Sequence, residues 1–473
     1  MTIDPTKQFL SLHSLTTFSH VLLVRDDAGE PKTSFYGDEL RTILPAQTQR
    51  RADRMHMRDA ANLGTGPLAS HAWGVRTREW ALRIAEALES QHAWSKPEAL
   101  ETARTVLRGT GLKFGSTPST AYLTKVMVFA PETTGITLAK IIHKYRKELT
   151  EWMAAVARIE SAEKEAGKSK GRKGRAAEEV REIETPAEEP DSQAEPGKVP
   201  PLPGKIKREL VTGLAPADAI DIALYGRFMA EVADAGNVDG AIQTITSFSV
   251  DRAAIVRDFF SAADDFKIIR QRQGRDFTNA LAAMKSADPF DAEPASVAPV
   301  ADDRGAGMTG YQSFFNGTFY AHSVLDRIQL RRNLANGGMA AEEVERAARD
   351  AERALLDAFV NAVPSAKKNT TAAPGTLPKL VLAHEAPRPY NYAAVYEEAI
   401  RPENGTPSIQ AVQRLLQHHA MITKKRGLAP GTILTYDIAV SELLDEHRLA
   451  GRLGPTEVHH PGELSPLTAG QPA

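Results

Sequence analysis

The sequence predicts an α+β protein in which a central sheet carries a long helical insertion. Three segments are expected to be strands of that sheet, at 218–225, 241–248 and 305–325. Apolar residues alternate with other residues from Ile220 to Tyr225, and a period of two is typical of a strand with one buried face. A long excursion from about 251 to 317 separates the second segment from the third. Residues 59–158 have a mainly helical pattern.

The remaining elements follow from local patterns along the chain. Further strands are expected at 7–16, 121–130 and 379–383. Pro45 is expected to begin a helix, because its fixed φ suits the first turn. Apolar periodicity predicts other helices at 77–89, 97–108, 137–153, 340–359 and 407–423, and a partly helical segment at 266–286.

Three segments have compositions that do not favour a packed structure. Residues 162–204 are rich in Lys, Glu, Gly, Pro and Ala, with almost no large apolar residues, so they are expected to be a disordered tether. Residues 288–303 are expected to form a mobile loop. The Pro- and Gly-rich tail after Gly451 is expected to be frayed.

Composition limits the classes of function. The 473 residues include 58 Lys and Arg against 60 Asp and Glu, so any nucleic-acid site must be a local patch. The absence of cysteine excludes disulfides, cysteine zinc sites and thiol catalysis, and favours a reducing compartment. No apolar run reaches the length of a membrane span, and the first residues do not resemble a secretory signal. A cytoplasmic protein is therefore expected.

Two stretches contain residues suited to nucleic acid. On the helix that follows Pro45, Arg50, Arg54 and Arg58 share one face, with Gln47 and Arg51 close by. This stripe fits a solvated face and a phosphate-binding face equally well. The second stretch places a cation beside an aromatic ring, at Arg227 and Phe228. The ring suits a base, although its position in the alternation also fits a core phenylalanine.

No catalytic motif is present. The sequence lacks a phosphate-binding GxxxxGK[ST] loop, an HExxH motif and a GxSxG motif. Two pairs of adjacent carboxylates, Asp26-Asp27 and Asp264-Asp265, are typical of loops and caps more than of metal sites. The pairs His418-His419 and His459-His460 are interpreted as surface residues. The sequence is therefore not expected to encode an enzyme, and no catalytic residue, metal or cofactor is predicted.

The segments together resemble the CasC-like backbone subunit of the type I-E CRISPR Cascade surveillance complex. The matches are colinear over most of the chain, and their order and spacing carry more weight than any single motif. They comprise Val24-Arg25-Asp26-Asp27, Lys32, Phe35-Tyr36-Gly37, Gln47, Arg50-Arg51, ALYGRF at 223–228, Val238-Asp239-Gly240, FFSAADD at 259–265, Gly310, Gly317-Thr318-Phe319-Tyr320, VPSAK at 363–367 and Pro407-Ser408-Ile409-Gln410.

The resemblance implies a hand-like subunit with an RRM-like (ferredoxin-like) palm. The implied divisions are a palm at 1–58, 206–250 and 318–450 with C-terminal helices, helical fingers at 59–205 with a linker at 162–204, a thumb at 251–317 with an insertion at 266–304, and a flexible tail at 451–473.

The resemblance also implies a role and partners. Several copies stack along one CRISPR RNA, each gripping its backbone, and each thumb crosses the next copy's stretch and displaces one nucleotide. The exposed bases pair with a target DNA strand in antiviral defence. The implied partners are the CRISPR RNA, further copies of the chain, other Cascade subunits, and a recruited nuclease-helicase that cuts the DNA. No membrane is involved.

Carried over by position, the implied RNA-binding residues fall on the palm and the thumb. Two departures from the family pattern are Pro45, in place of a hydroxyl residue, and Glu403, in place of a cation. The implied RNA-binding residues are Arg25, Lys32, Gln47, Arg50, Arg51, Arg54, Arg227, Phe228, Ser261, Met308, Thr309 and Arg401.

Two alternatives stay open at this point. Backbone subunits of type III complexes share this fold and cut target RNA with a loop aspartate, a role that Asp26 or Asp27 could fill. A helical scaffold without any RNA function is the other alternative.

Overall fold

The central element of the structure is one large mixed sheet. The structure, a computed structural model, describes residues 3–173, 200–216, 219–229, 231–232, 236–263, 306–452 and 454–470. The partly helical segment predicted at 266–286 and the mobile loop predicted at 288–303 lie outside these residues. The strands of the central sheet are β1 (Phe9–Val21), β2 (Thr33–Tyr36), β3 (Glu39–Leu44), β6 (Ile242–Thr244), β7 (Ser247–Ser249), β8 (Ala254–Ala263), β9 (Ala306–Asp326), β10 (Leu380–Ala386), β11 (Thr432–Leu434) and β12 (Thr456–Glu457).

The sheet is organised around its two longest strands, β1 and β9. The order of strands is β12-β11-β10-β1-β9-β7-β3-β2, and β6 and β8 also pair with β9. Every pairing is antiparallel except that of β11 with β12. The strands predicted at 7–16, 305–325 and 379–383 are confirmed. The segment predicted at 241–248 is divided between β6 and β7.

Helices account for most of the remaining described residues. Those predicted after Pro45 and at 77–89, 97–108, 340–359 and 407–423 are confirmed, with ends shifted by a few residues. The helices are α1 (Ala46–Asn62), α2 (Trp80–His92), α3 (Lys96–Gly109), α4 (Thr134–Lys144), α5 (Arg146–Lys173), α6 (Gly204–Gly213), α7 (Ile220–Tyr225), α8 (Arg327–Asn336), α9 (Ala341–Asn361), α10 (Lys368–Thr371), α11 (Pro407–Arg426) and α12 (Ile438–Leu449).

Each face of the sheet packs against a different set of helices. Leu10 and Leu12 of β1 are fully buried in a core with α7, α8 and α9. On the other face, Leu15 packs in a core with Tyr392, Tyr396 and the apolar side of α11. Because both faces are covered, β1 is buried along most of its length.

The face beneath α11 contains a buried group of histidines that the sequence did not predict. The ring of His13 stacks 4.4 Å from that of His322, and His384 lies 5.0 Å from His419. The prediction that His419 is a surface residue is wrong, because only 1% of it is exposed. Burial lowers the pKa of His322 to about 4, so this face favours neutral imidazoles.

A separate core holds the helical insertion, which comprises α2 to α6 and a two-stranded sheet of β4 (Gly74–Thr77) and β5 (Val128–Pro131). The predicted strand at 121–130 is shortened to β5. The single helix predicted at 137–153 is divided into α4 and α5, because Tyr145 leaves the helical conformation between them.

The predicted strand at 218–225 is wrong, because Ile220–Tyr225 forms the helix α7. All six of its residues are buried, between β5 on one side and the core of α8 and α9 on the other. A helix that is buried on every side has no polar stripe, so its period of 3.6 is not visible in the sequence.

Both ends of the predicted tether contain ordered structure. α5 continues to Lys173, and Leu202 is buried in the core of the helical insertion. The indole of Trp152 donates a 2.9 Å hydrogen bond to the carbonyl of Pro200. The part of the tether at 174–199 lies outside the described residues.

The tail after Gly451 is packed against the protein, not frayed. Leu464 and Ser465 are buried, and Ser465 accepts a 2.9 Å hydrogen bond from the guanidinium of Arg327. Arg327 is itself fully buried and also pairs with Glu352 at 2.7 Å and with Glu385 at 2.6 Å. The tail therefore supplies a hydrogen-bond acceptor to a buried charge. This role could not be predicted from the composition of the tail.

Candidate nucleic-acid interface

Three of the four arginines of α1 are bound to groups of the protein itself. Arg50 donates a 2.7 Å hydrogen bond to the carbonyl of Tyr225 at the end of α7. Arg54 makes a 3.0 Å ion pair with Asp221. Arg58 lies 3.7 Å from a carboxylate oxygen of Glu132 in the helical insertion. These three pairs form a line of contacts, the α1 seam, which joins the helix to α7 and to the insertion.

Aromatic rings complete the α1 seam. The guanidinium of Arg50 lies 5.3 Å from the centroid of the Tyr225 ring, and that of Arg54 lies 4.5 Å from the centroid of Phe129. Such cation–π contacts strengthen when solvent is excluded. The stripe is thus engaged with groups of the protein and only partly exposed, and its binding of phosphate stays a prediction. Among the predicted residues of α1, Gln47 and Arg51 are exposed.

A buried carboxyl lies behind the α1 seam. Asp53 is 2% exposed and accepts a 2.8 Å hydrogen bond from the side-chain amide of Gln49. Burial raises the pKa of Asp53 to about 7. The same amide of Gln49 donates to the carbonyl of Ala362, so it also ties α1 to the loop after α9.

Arg227 and Phe228 have opposite environments although they are adjacent. Arg227 is 5% exposed and donates to backbone carbonyls, at 3.3 Å to Phe129 and 3.1 Å to Gly236. Burial lowers its pKa to about 10. Phe228 is 77% exposed, which excludes the core position that the alternation allowed. Arg227 therefore anchors this loop, and Phe228 is the residue exposed to solvent.

A glycine fixes the path of the chain before Arg227. Gly226 has a φ of +76°, a conformation that other residues rarely adopt. A Cβ atom at this position would lie 2.6 Å from the backbone nitrogen of Gly240 and 2.6 Å from the carbonyl oxygen of Val238. The close approach of these two backbone segments allows Arg227 to turn inward while Phe228 points out.

The first loop, residues 25–32, presents two predicted cations. Arg25 and Lys32 are both exposed. Asp26 closes the loop, because its Oδ1 accepts a 2.9 Å hydrogen bond from the backbone N–H of Glu30. One carboxylate of the Asp26-Asp27 pair is thus engaged within the loop, as expected of a loop residue.

The predicted thumb residues lie on a two-stranded ribbon formed by β8 and residues 306–316 of β9. Ser261 lies directly opposite Thr309, and Met308 lies opposite Ala262. All three predicted residues therefore come together at the described end of the ribbon, and all three are exposed. Asp264 and Asp265 lie outside the described residues.

The ribbon exposes an unusual amount of apolar surface. The ring of Phe259 packs edge-on against Tyr311, with 5.4 Å between centroids, yet both residues are largely exposed. Phe259 belongs to the FFSAADD match, but the sequence predicted no role for either ring. The exposed apolar residues of the ribbon are Ile255, Val256, Phe259, Phe260, Met308 and Tyr311.

The base of the ribbon meets the first loop and the remaining predicted cation. Arg257 lies 3.8 Å from Glu30 of the first loop. Arg401 is exposed and follows Ile400, whose N–H donates a 2.9 Å hydrogen bond to the carbonyl of Val250 just before the ribbon. The structure thus divides the predicted residues among α1, the loop of Arg227 and Phe228, the ribbon base and the ribbon end.

The described residues were also searched for metal and membrane sites. Within the described ranges, no group of three or more His, Asp or Glu side chains is placed to hold a metal ion. Within the same ranges, no helix is both long and apolar enough to cross a membrane.

Comparisons with known proteins extend over almost the whole chain. A model of the CT1975-like protein family matches residues 10–287 and 297–449. No curated protein matches the chain.

Two solved structures resemble the fold. One, described as "CRISPR RNA-guided surveillance complex, pre-nicking", aligns with a TM-score of 0.66 and 24% identity over 98% of this chain and 99% of the other. A second, described as "CRISPR RNA-guided surveillance complex", has a TM-score of 0.59 and 20% identity over 98% of this chain and 100% of the other. At these identities the likeness concerns the fold.

Proposed function

Because the chain belongs to the CT1975-like protein family, we propose that it is the guide-RNA-binding backbone subunit of a type I-E CRISPR surveillance complex. The observation that carries the proposal is the end-to-end likeness to chains of CRISPR RNA-guided surveillance complexes. A match over both full lengths favours a shared structural role more than the reuse of one domain. The central sheet is then the RRM-like palm, the helical insertion the fingers, and the ribbon the stalk of the thumb.

The exposed cations of the palm are proposed to hold the guide backbone. Arg25, Lys32 and Arg51 are exposed, and Gln47 adds a neutral hydrogen-bonding group one turn before Arg51 on α1. Contacts to phosphate position a strand without reading its sequence, as a subunit that holds any guide requires. Phe228 adds a ring on which a base can stack. Arg50, Arg54 and Arg227 act in this proposal by fixing the scaffold.

Further copies of the chain are the proposed partners of the ribbon. Exposed contiguous apolar surface is typical of an interaction site, and here it surrounds Phe259 and Tyr311. The formal charge of −2 keeps the mutual repulsion of stacked copies small. In the proposed complex, the guide pairs with target DNA, other Cascade subunits complete the assembly in the cytoplasm, and a recruited nuclease-helicase cuts the DNA.

The chain itself is proposed to have no catalytic role. The engagement of Asp26 with the backbone of Glu30 supports a positioning function for that carboxylate. The type III alternative requires a loop aspartate that is available for cleavage, and in the first loop the exposed Asp27 is the residue that could fill that role.

RNA binding can be tested with labelled single-stranded RNA and the purified chain over a series of salt concentrations. The combined variant Arg25→Ala, Lys32→Ala and Arg51→Ala should lower the slope of log K against log salt by about 2, at about 0.7 for each phosphate contact. The matched control replaces exposed lysines at the end of α11, Lys424→Ala with Lys425→Ala, and should keep the wild-type slope. Absence of RNA binding by the wild type, or equal slopes in both variants, would contradict the proposal.

A further inference from the structure

The loop between α9 and β10 extends from α1 to the base of the ribbon, and both of these regions carry proposed RNA-binding residues. At its start, the amide of Gln49 on α1 donates a 3.1 Å hydrogen bond to the carbonyl of Ala362. Farther along, the ammonium of Lys367 donates a 2.9 Å hydrogen bond to the side-chain carbonyl of Gln312 at the base of the ribbon. The loop thus spans from the first turns of α1 to the ribbon.

The backbone of this loop adopts an unfavourable conformation at Lys367. Its φ of 55° and ψ of 22° lie in the left-handed region, which is costly for a residue with a side chain. The conformation is held by four hydrogen bonds to the Lys367 carbonyl, from the backbone N–H groups and the side-chain hydroxyls of Thr370 and Thr371. Strained residues that are held this firmly are concentrated at ligand sites.

The loop carries positive charge that no described residue neutralises through an ion pair. Lys367 and Lys368 are both exposed, and residues 363–376 contain no Asp or Glu. Among the described residues, neither lysine forms an ion pair, and Lys367 contacts only the neutral Gln312. Asp258 lies opposite Gln312 in the ribbon register, yet it too makes no ion pair with either lysine.

We propose that Lys367 and Lys368 bind two neighbouring phosphates of single-stranded RNA between the first turns of α1 and the base of the ribbon. The proposal rests on the proposed function and adds two residues to it. An ammonium group binds phosphate as a point charge, so the contact is independent of RNA sequence. The strained turn fixes the lysine backbones before RNA arrives, and this reduces the ordering cost of binding.

The test uses the full chain and labelled RNAs of two unrelated sequences. The variant Lys367→Ala with Lys368→Ala should lower the salt slope by about 1.4, which corresponds to two contacts. The variant should also lower the binding affinity for both RNAs by the same factor. Lys424→Ala with Lys425→Ala removes the same charge from the end of α11 and should leave the slope unchanged.

A second variant separates binding from folding. Lys367→Gly removes one ammonium and suits the left-handed backbone, so the melting temperature should stay equal or rise while the slope falls by about 0.7. If wild type binds RNA and both loop variants retain its slope, this inference fails and the proposed function stands. If wild type does not bind RNA, both fail.

Discussion

Charged residues are usually exposed and large apolar residues are usually buried, but the helix α1 and the ribbon show the opposite arrangement. The charged residues of α1 are largely enclosed, since Arg54 is paired with Asp221 and Asp53 is buried beside Gln49. The ribbon exposes large apolar side chains such as Phe259 and Tyr311. A region rich in arginine is here a structural joint, and a region rich in aromatic residues faces solvent.

The difference shows which side chains already have partners in the free chain and which do not. The α1 seam already has partners for its charges, so its geometry is fixed before any ligand binds. Residues 254–262 of β8 are all exposed, and a two-stranded ribbon alone is marginally stable in water. In the proposed assembly, the ribbon is therefore the region whose surroundings change most.

The largest expected effect would come from breaking the α1 seam. Arg54→Ala leaves the carboxylate of Asp221, which is 1% exposed, without its cation. Removing one partner of a buried pair costs about 3–5 kcal/mol of unfolding free energy, and the partial exposure of Arg54 favours the lower figure. Urea denaturation of the RNA-free chain measures this cost.

The matched control is Arg51→Ala on the same helix. Because Arg51 is exposed, its replacement by Ala should change the unfolding free energy by less than about 0.5 kcal/mol. Equal stabilities for the two variants would show that α1 is not the structural joint described here. RNA-binding assays on variants of Arg54 therefore need a stability measurement beside them.

A smaller effect is expected from the buried carboxyl behind the α1 seam. The folded-state pKa of Asp53 is raised to about 7, so the folded protein keeps this proton at a pH where the unfolded chain has lost it. Stability from this group is complete below the unfolded pKa near 4 and is lost as pH rises through 7. Asp53→Asn should therefore be stabilising at pH 8, by roughly 2–4 kcal/mol, and nearly neutral at pH 4.

The measurement is the difference in unfolding free energy between Asp53→Asn and wild type across pH 4–8. Buried histidines act in the opposite direction, since the lowered pKa of His322 makes stability fall as pH falls below about 6.5. That background cancels in the difference. A variant that is destabilising by a constant amount at every pH would refute the titration of Asp53.

The sequence predicted the long elements of the fold and missed the contacts between them. The long elements show many repeats of their hydrophobic period, so they can be predicted without tertiary contacts. These elements are β1, β9, α9 and α11. α7 has six residues and is buried on every side, so its pattern was read with the wrong period. The tail was predicted to be frayed because its anchor, Arg327, lies 138 residues away from Ser465.

The candidate site was predictable in residue type and not in environment. The stripe of arginines on α1 was visible, but their partners Tyr225 and Asp221 lie 175 and 167 residues away in the chain. No local pattern distinguishes an arginine that is free to bind phosphate from one that is paired with a carboxylate of the protein. For the same reason, the sequence could not separate Arg227 from Phe228.

The smallest effect on stability is expected at Phe228. Because its ring is 77% exposed, Phe228→Ala should change the unfolding free energy by less than about 0.5 kcal/mol. If the ring stacks on a base of the guide, the same variant should lose about 1–3 kcal/mol of RNA-binding free energy. Chemical denaturation and RNA titration of one preparation provide both values.

The comparison with Phe129 sharpens this prediction. Phe129 lies under the guanidinium of Arg54 and is 8% exposed. Phe129→Ala should destabilise the fold by about 3–5 kcal/mol, as expected for a buried phenylalanine. Two phenylalanines connected through Arg227 would then have separate roles, one in folding and one in binding. A Phe228 variant that loses stability without losing RNA affinity would remove the stacking role and leave the exposed ring unexplained.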